Sequence, residues 1–260
     1  MNRQVPTYEV LRWSGRRTLF CLIIPVINEG ERIRRVLERI KALGISEQID
    51  VIVVDGGSND GSLSDALLDT TGVVGLLLKT GPGKLSAQLR CAYAFALEQG
   101  YQGIVTIDGN NRDEPSAIPK FVKALDKGFD FAQASRFIAG GQEENTPWKR
   151  RLAIRWLHAP LLSLASGFHW TDTTQGFRAY SRRMLEDPRV APFREIFQKY
   201  ELLAYLSYRA PKLGYRCIEL PTLRRYPKEE KVSTKISPFR GEFEVLQTLI
   251  TACRGGFDPA

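Results

Sequence analysis

Along the chain, apolar residues gather in short runs separated by segments where they recur every three or four positions. LFCLIIP (19–25), DVIVVD (50–55), VVGLLLK (73–79), GIVTID (103–108) and DFAQASRF (130–137) read as buried strands. The segments between them read as amphipathic helices. In NEGERIRRVLERIKALG, Ile33, Val36, Leu37, Ile40 and Leu43 share one face, and Gly44 is a stop signal. SLSDALLD, LSAQLRCAYAFALEQG and SAIPKFVKALDKG follow the same logic. After about residue 140 the rhythm loosens: 148–167 and 200–214 predict helices, FRAYSRR and YRCIELP predict strands, and SPFRGEFEVLQTLITACRGG predicts a closing amphipathic helix. This alternation predicts an α/β fold, a mostly parallel central sheet with helices on both faces, in one domain spanning residues 1–260.

In such sheets ligands bind beyond the carboxyl ends of the strands. Here those ends carry Pro25, Asn28 and Glu29, then Asp55, Gly81 to Lys84, Asp108, and Ser135 with Arg136. One buried strand ending on aspartate means little, but polar groups at five successive ends predict a site. GPGK suggests a phosphate loop, yet Leu78 and Leu85 stand where that motif needs Gly and Ser or Thr. A glycine turn before a helix explains Gly81 and Gly83. Lys84 is left over, a cation at a helix start that suits a nearby anion. Asp108, Asn110 and Asp113 offer oxygens of the kind that bind Mg²⁺ or Mn²⁺. Helix capping is the competing explanation, better for Asp113 than for Asp108.

Composition adds less. A chain of 260 residues, 43% hydrophobic and 25% charged, fits a folded domain with a sizeable core. Cys21, Cys91, Cys217 and Cys253 lack paired spacing, and two histidines are too few for a histidine-rich metal site, so a reducing compartment is expected. No apolar run approaches the roughly 18–20 residues of a membrane span. MNRQVPTYEVLRWSGRR has no apolar signal core, so a cytoplasmic location is expected. The net charge of +8 suits nucleic acid, an anionic membrane face or a phosphate-rich substrate. No aromatic–basic interleaving or reading helix supports nucleic acid.

Seven motifs in order resemble those of family 2 glycosyltransferases of GT-A fold, and among them the polyprenyl-phosphate sugar synthases such as dolichyl-phosphate mannosyltransferases. PVINE (25–29) is similar to P-x-Y-N-E, and VVDGGSNDGS (53–62) to V-D-D-G-S-x-D-G-T. GPGKLSAQLRCAYAFALEQG resembles the G-K-G-x-A-x-x-x-G helix, and IDGNNRDEP stands where the family has D-A-D-x-Q-H-P-P. ASRFIAGG resembles G-S-R-Y-x-x-G-G, DTTQGFRAYSRR resembles D-x-T-S-G-F-R-x-Y-R-R, and STK (233–235) resembles a late Ser-Lys element. The resemblance covers roughly residues 19 to 240.

It implies a nucleotide-sugar-binding half over residues 19–138, with the acceptor side, a mobile loop and a C-terminal helix over 139–260. Pro25, Ile27 and Glu29 would line the base and ribose, and Val53 and Asp55 would hold the base edge. Asp108, Gly109 and Asn110 would meet ribose, diphosphate and a Mg²⁺ or Mn²⁺ ion. Arg136 and Arg155 would face the acceptor or sugar phosphate. Arg225 and Lys235 would close over the diphosphate, with Lys84 as a further cation. The implied reaction is inverting transfer from a nucleotide-diphospho-sugar to a polyprenyl phosphate or a lipid-linked, cell-envelope glycan. A phosphate acceptor needs only positioning, for which Arg136, Arg151 and Arg155 are candidates. A hydroxyl acceptor needs a general base, with Asp172 first and Glu201 second; turn capping is the plain alternative for Asp172.

Three departures stand out. Asn110 replaces the second aspartate of D-x-D, with Asp113 placed to compensate. Gly56 replaces the second aspartate of D-D-G-S. Gln175 replaces the serine before G-F-R, and PKEEKV lengthens the stretch between Arg225 and Ser233. A non-catalytic nucleotide-sugar binder with a weakened metal site is the alternative function. Phe239, Phe243, Leu246, Leu249 and Ile250, with the basic surface, open a peripheral membrane contact, although packing on the sheet is the favoured role of that helix.

Overall fold

The structure, a computed structural model, describes residues 3–227 and 240–259, with side chains in the last helix from residue 244 onward. The strands are β1 (Tyr8–Trp13), β2 (Phe20–Val26), β3 (Asp50–Asp55), β4 (Val73–Lys79), β5 (Gly103–Thr106), β6 (Phe131–Ser135), β7 (Gln142–Glu144), β8 (Arg178–Ser181), β9 (Cys217–Pro221) and β10 (Leu223–Arg225). The helices are α1 (Glu31–Ala42), α2 (Asp65–Thr71), α3 (Leu85–Glu98), α4 (Ile118–Asp126), α5 (Trp148–Ala153), α6 (Ala159–Ser166), α7 (Arg182–Glu186), α8 (Glu201–Lys212) and α9 (Arg240–Cys253). Eight strands form one sheet in the order β1-β4-β3-β2-β5-β8-β6-β9, and β10 pairs with β7 in a small second one.

The predicted architecture holds, and strand periodicity explains why both faces are covered. Along β2, Cys21 and Ile23 point to one face while Leu22 and Ile24 point to the other. Along β3, Ile52 and Val54 join the first set, and Val51 and Val53 the second. α3, α8 and α9 close over the first face; α1 and α4 close over the second. Burying both faces is what makes these strands read as unbroken apolar runs.

β1 is an element that the periodicity misses. It pairs antiparallel with β4 at the sheet edge and is largely exposed, so it carries no buried run to betray it. β8 runs antiparallel between β5 and β6. Its first residue, Arg178, therefore lies beside Thr106, the last of β5. This reversal brings the TTQGFR loop to the edge where the parallel strands end. α5 and α6 are one helical run broken by a π-turn at Ile154–His158. Pro160 at the start of α6 lacks an amide donor and crowds the carbonyl four residues back, which the wider turn relieves.

From β2 the chain moves outward through β3 and β4, then crosses back to place β5 on the other side of β2. The crevice at that reversal, outside the carboxyl ends of β2 and β5, is where ligands bind in open α/β sheets.

Candidate functional site

A cavity of about 460 Å³ opens at this reversal point, a size suited to a small-molecule ligand. Pro25, Val26 and Ile27 from the end of β2 form one wall, followed by Glu29. Gly56, Lys79 and Lys84 come from the next strand ends, and Asp108, Gly109 and Asn110 from the loop after β5. Thr173, Thr174 and Gly176 arrive with β8. Arg150, His158 and Leu162 come from the α5–α6 run, and Val245, Thr248 and Leu249 from α9.

Of the residues singled out in the sequence, Pro25, Ile27, Glu29, Lys84, Asp108, Gly109 and Asn110 converge on this cavity. Asp108 is its focal carboxylate. Its Oδ2 accepts from Arg224 at 3.4 Å and from the Asn110 amide at 3.4 Å. Its Oδ1 lies against Gly176, where a methyl group would sit 2.9 Å from Asp108 Cγ and closer still to Oδ1. The glycine of the QGFR motif thus leaves room for the Asp108 carboxylate.

Asn110 holds its own loop. Its Oδ1 accepts from the Arg112 amide at 3.2 Å, which fixes the amide orientation and turns the NH₂ toward Asp108. The oxygen expected on a metal thus accepts one backbone amide and has a second lone pair to offer. Asp113 neither caps a helix nor compensates. It is buried, and Arg224 Nη1 donates to both its oxygens at 2.7 and 2.6 Å. Although burial disfavours the Arg224 charge, Asp113 and Asp108 hold the guanidinium well above its ordinary value. The strand alternation of β10 aims Arg224 inward and Arg225 outward. Arg225 pairs with Glu114 at 3.1 Å and Glu144 at 3.0 Å on the surface, away from the cavity wall.

Further corrections concern the acceptor side. Asp172 and Arg136 are fully buried side chains locked together at 2.7 and 3.1 Å, and Asp172 also accepts from Gln175 Nε2 at 2.6 Å. Burial works against its charge, but Arg136 and Gln175 hold the Asp172 carboxyl below the usual carboxylate range. A carboxylate so occupied is a brace for the loop before β8, not a base for an acceptor hydroxyl, and Arg136 serves the same brace. Glu201 accepts from the Gln198 and Lys199 amides at 2.9 and 2.6 Å. Arg155 is exposed on the outer side of the helix, its guanidinium 5.6 Å from the Phe137 ring. Arg151 pairs with Glu143 at 2.8 Å. Val53 is buried in β3, and Asp55 accepts from Gly57 N, Ser58 N and Ser58 Oγ, capping its own turn. Lys235 and Phe239 lie outside the described residues, as does the Phe243 side chain.

The start of α3 is no phosphate cradle. The Lys84 and Ser86 amides donate to the carbonyls of Gln198 and Lys199 at 2.7 and 2.8 Å, and a methyl on Gly83 would collide with the Gln198 side chain. Gly83, Lys84, Leu85 and Gln88 of this segment line the cavity, and Lys84 is the cation among them.

Sequence reasoning missed an arginine cluster. Arg112, Arg150 and Arg224 surround the buried Tyr226 ring at 5.1, 6.0 and 5.9 Å. Arg224 has its carboxylates, but Arg112 and Arg150 form no ion pair among the described residues. Burial and the neighbouring Arg224 pull both below their ordinary values. Isolated in NNRDEP and WKRR, they carried no signal beyond their charge.

Residues 21–188 match the family model for glycosyl transferase family 2. The chain belongs to this family. It is 30% identical to the polyprenol monophosphomannose synthase of Mycolicibacterium smegmatis, over 79% of this chain and 76% of that protein. It is 29% identical to the undecaprenyl-phosphate mannosyltransferase of Micrococcus luteus, over 76% and 80%. Among solved structures, the glucosyl-3-phosphoglycerate synthase of Mycobacterium tuberculosis in complex with UDP gives a TM-score of 0.62 at 18% identity, covering 92% of this chain and 80% of that one. The same enzyme with Mn²⁺, UDP and phosphoglyceric acid gives 0.61 at 18% identity, over 91% and 78%. These establish a shared GT-A fold.

As a family 2 glycosyltransferase, the protein has its recognised motifs doing two kinds of work: some line the cavity, and others brace the loops that do. Two expectations follow. Asp172→Ala should destabilise the fold by about 3–5 kcal/mol, because it strands a buried guanidinium, measured as the urea midpoint; an unchanged midpoint would remove the brace assignment. The depressed Asp172 carboxyl makes this contribution fully present above the ordinary value of about 3.9, and it is lost as pH falls through the lower value in the fold. Gly176→Ala should displace the Asp108 carboxylate and weaken nucleotide binding by calorimetry, with wild-type affinity counting against the contact.

Proposed function

We propose that this glycosyltransferase moves a sugar, with inversion, from a nucleotide-diphospho-sugar to a polyprenyl phosphate. The observation that carries the acceptor choice is the charge inventory of the cavity. Arg112 and Arg150 have no ion-pair partner among the described residues, while the carboxylates that line the cavity among those residues, Glu29 and Asp108, each already face an arginine. Glu29 pairs with Arg32 at 2.8 Å, Asp108 with Arg224, and Asp172 with Arg136. A sugar hydroxyl would need a base within hydrogen-bond reach. A phosphate is already an anionic nucleophile and needs cations to position it. The relatives whose names specify polyprenol or undecaprenyl phosphate support the same reading.

On this reading Pro25, Ile27 and Glu29 flank the nucleoside, and Lys79 and Lys84 approach the diphosphate. Arg150, near His158 and Leu162, steadies the acceptor phosphate. Arg112 and Arg224 bridge the two anions. Fixed cations aimed where charge develops lower the barrier to departure of the nucleoside diphosphate.

The residues fit a divalent ion of limited demands. Among the described residues no three acidic, histidine or cysteine side chains form a cage. Asp108 Oδ1, which has no donor among the described residues, suits Mg²⁺ or Mn²⁺, which takes one or two carboxylates and completes its shell with phosphate and water. Bound there, the ion would neutralise growing charge on the leaving diphosphate.

Thermal shift with UDP-, GDP-, CMP- and dTDP-sugars, with and without Mn²⁺, tests the donor class, since a bound ligand raises apparent stability; silence across all of them would count against it. With the responding nucleotide, Asp108→Ala should abolish the Mn²⁺-dependent part of the affinity, and Asn110→Asp should enlarge it. Arg150→Ala should raise KM for a prenyl phosphate roughly 10- to 100-fold, as expected for a charged hydrogen bond of about 1.5–3 kcal/mol. Donor affinity should stay unchanged, and an unaltered KM would remove Arg150 from the acceptor site.

A further inference from the structure

β1 reads Tyr-Glu-Val-Leu-Arg-Trp and forms one edge of the eight-stranded sheet, with β4 on one side and no strand on the other among the described residues. A free edge presents unpaired backbone N–H and C=O groups to another strand. Bulges and charges commonly deter such pairing, and β1 has both. Val10 lies opposite Leu77 and Arg12 opposite the adjacent Leu76, which leaves Leu11 with no partner on β4.

The bulge decides which side chains share a face. Tyr8 and Trp13 both pack edge-on against Phe95 of α3, with ring centroids 6.5 and 5.0 Å apart. Five residues apart, they would fall on opposite faces of a regular strand, so the alternation changes phase once, at the bulge. Val10 therefore shares the Phe95 face with Tyr8, and Leu11 shares it with Trp13. Both are open to solvent, 46% and 54% exposed. Glu9 and Arg12 fall on the other face, where Arg12 Nη2 donates to Asp69 of α2 at 2.6 Å. Glu9 is exposed and has no ion-pair partner among the described residues.

Read outward from its centre, β1 is a chemical palindrome: two aliphatics, then an acid and a base, then two aromatics. Turned antiparallel about a twofold axis between Val10 and Leu11, a second copy sets Val10 opposite its Leu11, Glu9 opposite its Arg12 and Tyr8 opposite its Trp13. In each pair the two side chains lie on the same face, as directly opposed residues in an antiparallel pair must. Both strands carry the extra residue, so bulge meets bulge and the register closes with none left over.

We propose that β1 pairs with β1 of a second copy of this chain, joining two sheets edge to edge across a twofold axis. Charge complementarity selects the occupant: acid, aliphatic, aliphatic, base is matched by its own reverse, and the axis forms the Glu9–Arg12 pair twice. Arg12 spends one donor on Asp69 and its guanidinium has others to offer. None of residues 8–13 lines the cavity, so both sites stay open in the pair.

Sedimentation velocity on the full chain tests this. Wild type should sediment as a dimer that dissociates on dilution. Glu9→Arg sets arginine against Arg12, and Arg12→Glu sets glutamate against Glu9. Each should weaken the dimer roughly tenfold or more, since like charges directly opposed on paired strands repel. Mixed in equal amounts, the two variants should form a heterodimer of wild-type affinity, because every arginine then meets a glutamate. Glu9→Arg should leave melting temperature and nucleotide affinity unchanged. Val10→Lys combined with Leu11→Lys, which touches no ion pair, should dissolve the dimer as well. Wild type remaining monomeric at all concentrations, or Glu9→Arg dimerising as wild type does, would overturn the pairing. Folded variants that fail to rescue each other would overturn the register.

Discussion

The buried Arg224–Asp113 pair is the contact on which the cavity depends. It joins residues 111 apart in sequence, and backbone bonds reinforce it on both sides. The Glu114 amide donates to the Leu223 carbonyl at 3.1 Å and the Arg225 amide to the Arg112 carbonyl at 2.8 Å. The loop after β5 is thereby sewn to β10, and β10 in turn to β7. A buried ion pair is costly to form because both charges lose water. Its return here is positional: Arg224 reaches past Asp113 to touch Asp108, so the focal carboxylate is aimed by a guanidinium that cannot wander. Orientation by a locked neighbour is what a site needs to bind charge without reorganising.

A second buried pair, Arg136–Asp172, performs the same service for the loop before β8, while Arg178 ties that loop to α8 through the Gln175 and Leu203 carbonyls and Ser207. The two loops then meet at Gly176 and Asp108. What the molecule leaves uncompensated is therefore informative. A chain that satisfies Asp113, Asp172 and Glu201 so completely still leaves Arg112 and Arg150 packed around one tyrosine with no carboxylate paired to them among the described residues. The Tyr226 ring face moderates their repulsion, but it does not supply a counter-charge.

The sheet was legible because strands buried on both faces spell themselves as apolar runs, and the ends of those runs named Pro25, Glu29 and Asp108 directly. β1 and the β7–β10 pair were not legible, since short exposed strands carry no such run. Charged side chains were harder still. Nothing local to Arg224 and Arg225 says which one turns inward; that is decided by the register of β10 on β7. Asp172 follows a strand of resemblance to a known motif, yet its role depends on Arg136, which only the fold brings to it. Sequence marks where charge sits along the chain, and packing decides whether it is spent in a brace or left for a ligand.

Asn110 shows how the two can be balanced. A second carboxylate there would stand beside Asp108 and add repulsion that a metal ion must offset. An amide instead donates to Asp108 through one atom and holds the Arg112 backbone with the other, keeping the loop formed whether or not a metal is present. The cavity then draws its positive charge chiefly from fixed guanidiniums. Guanidiniums are permanently protonated and present several donors in a rigid plane, so they position two anions at once without exchange of ligands. On the proposed reading, a donor diphosphate and an acceptor phosphate both occupy the site, and their mutual repulsion opposes the encounter. A cluster of arginines between them reduces that obstacle more directly than a metal bound on the donor side alone.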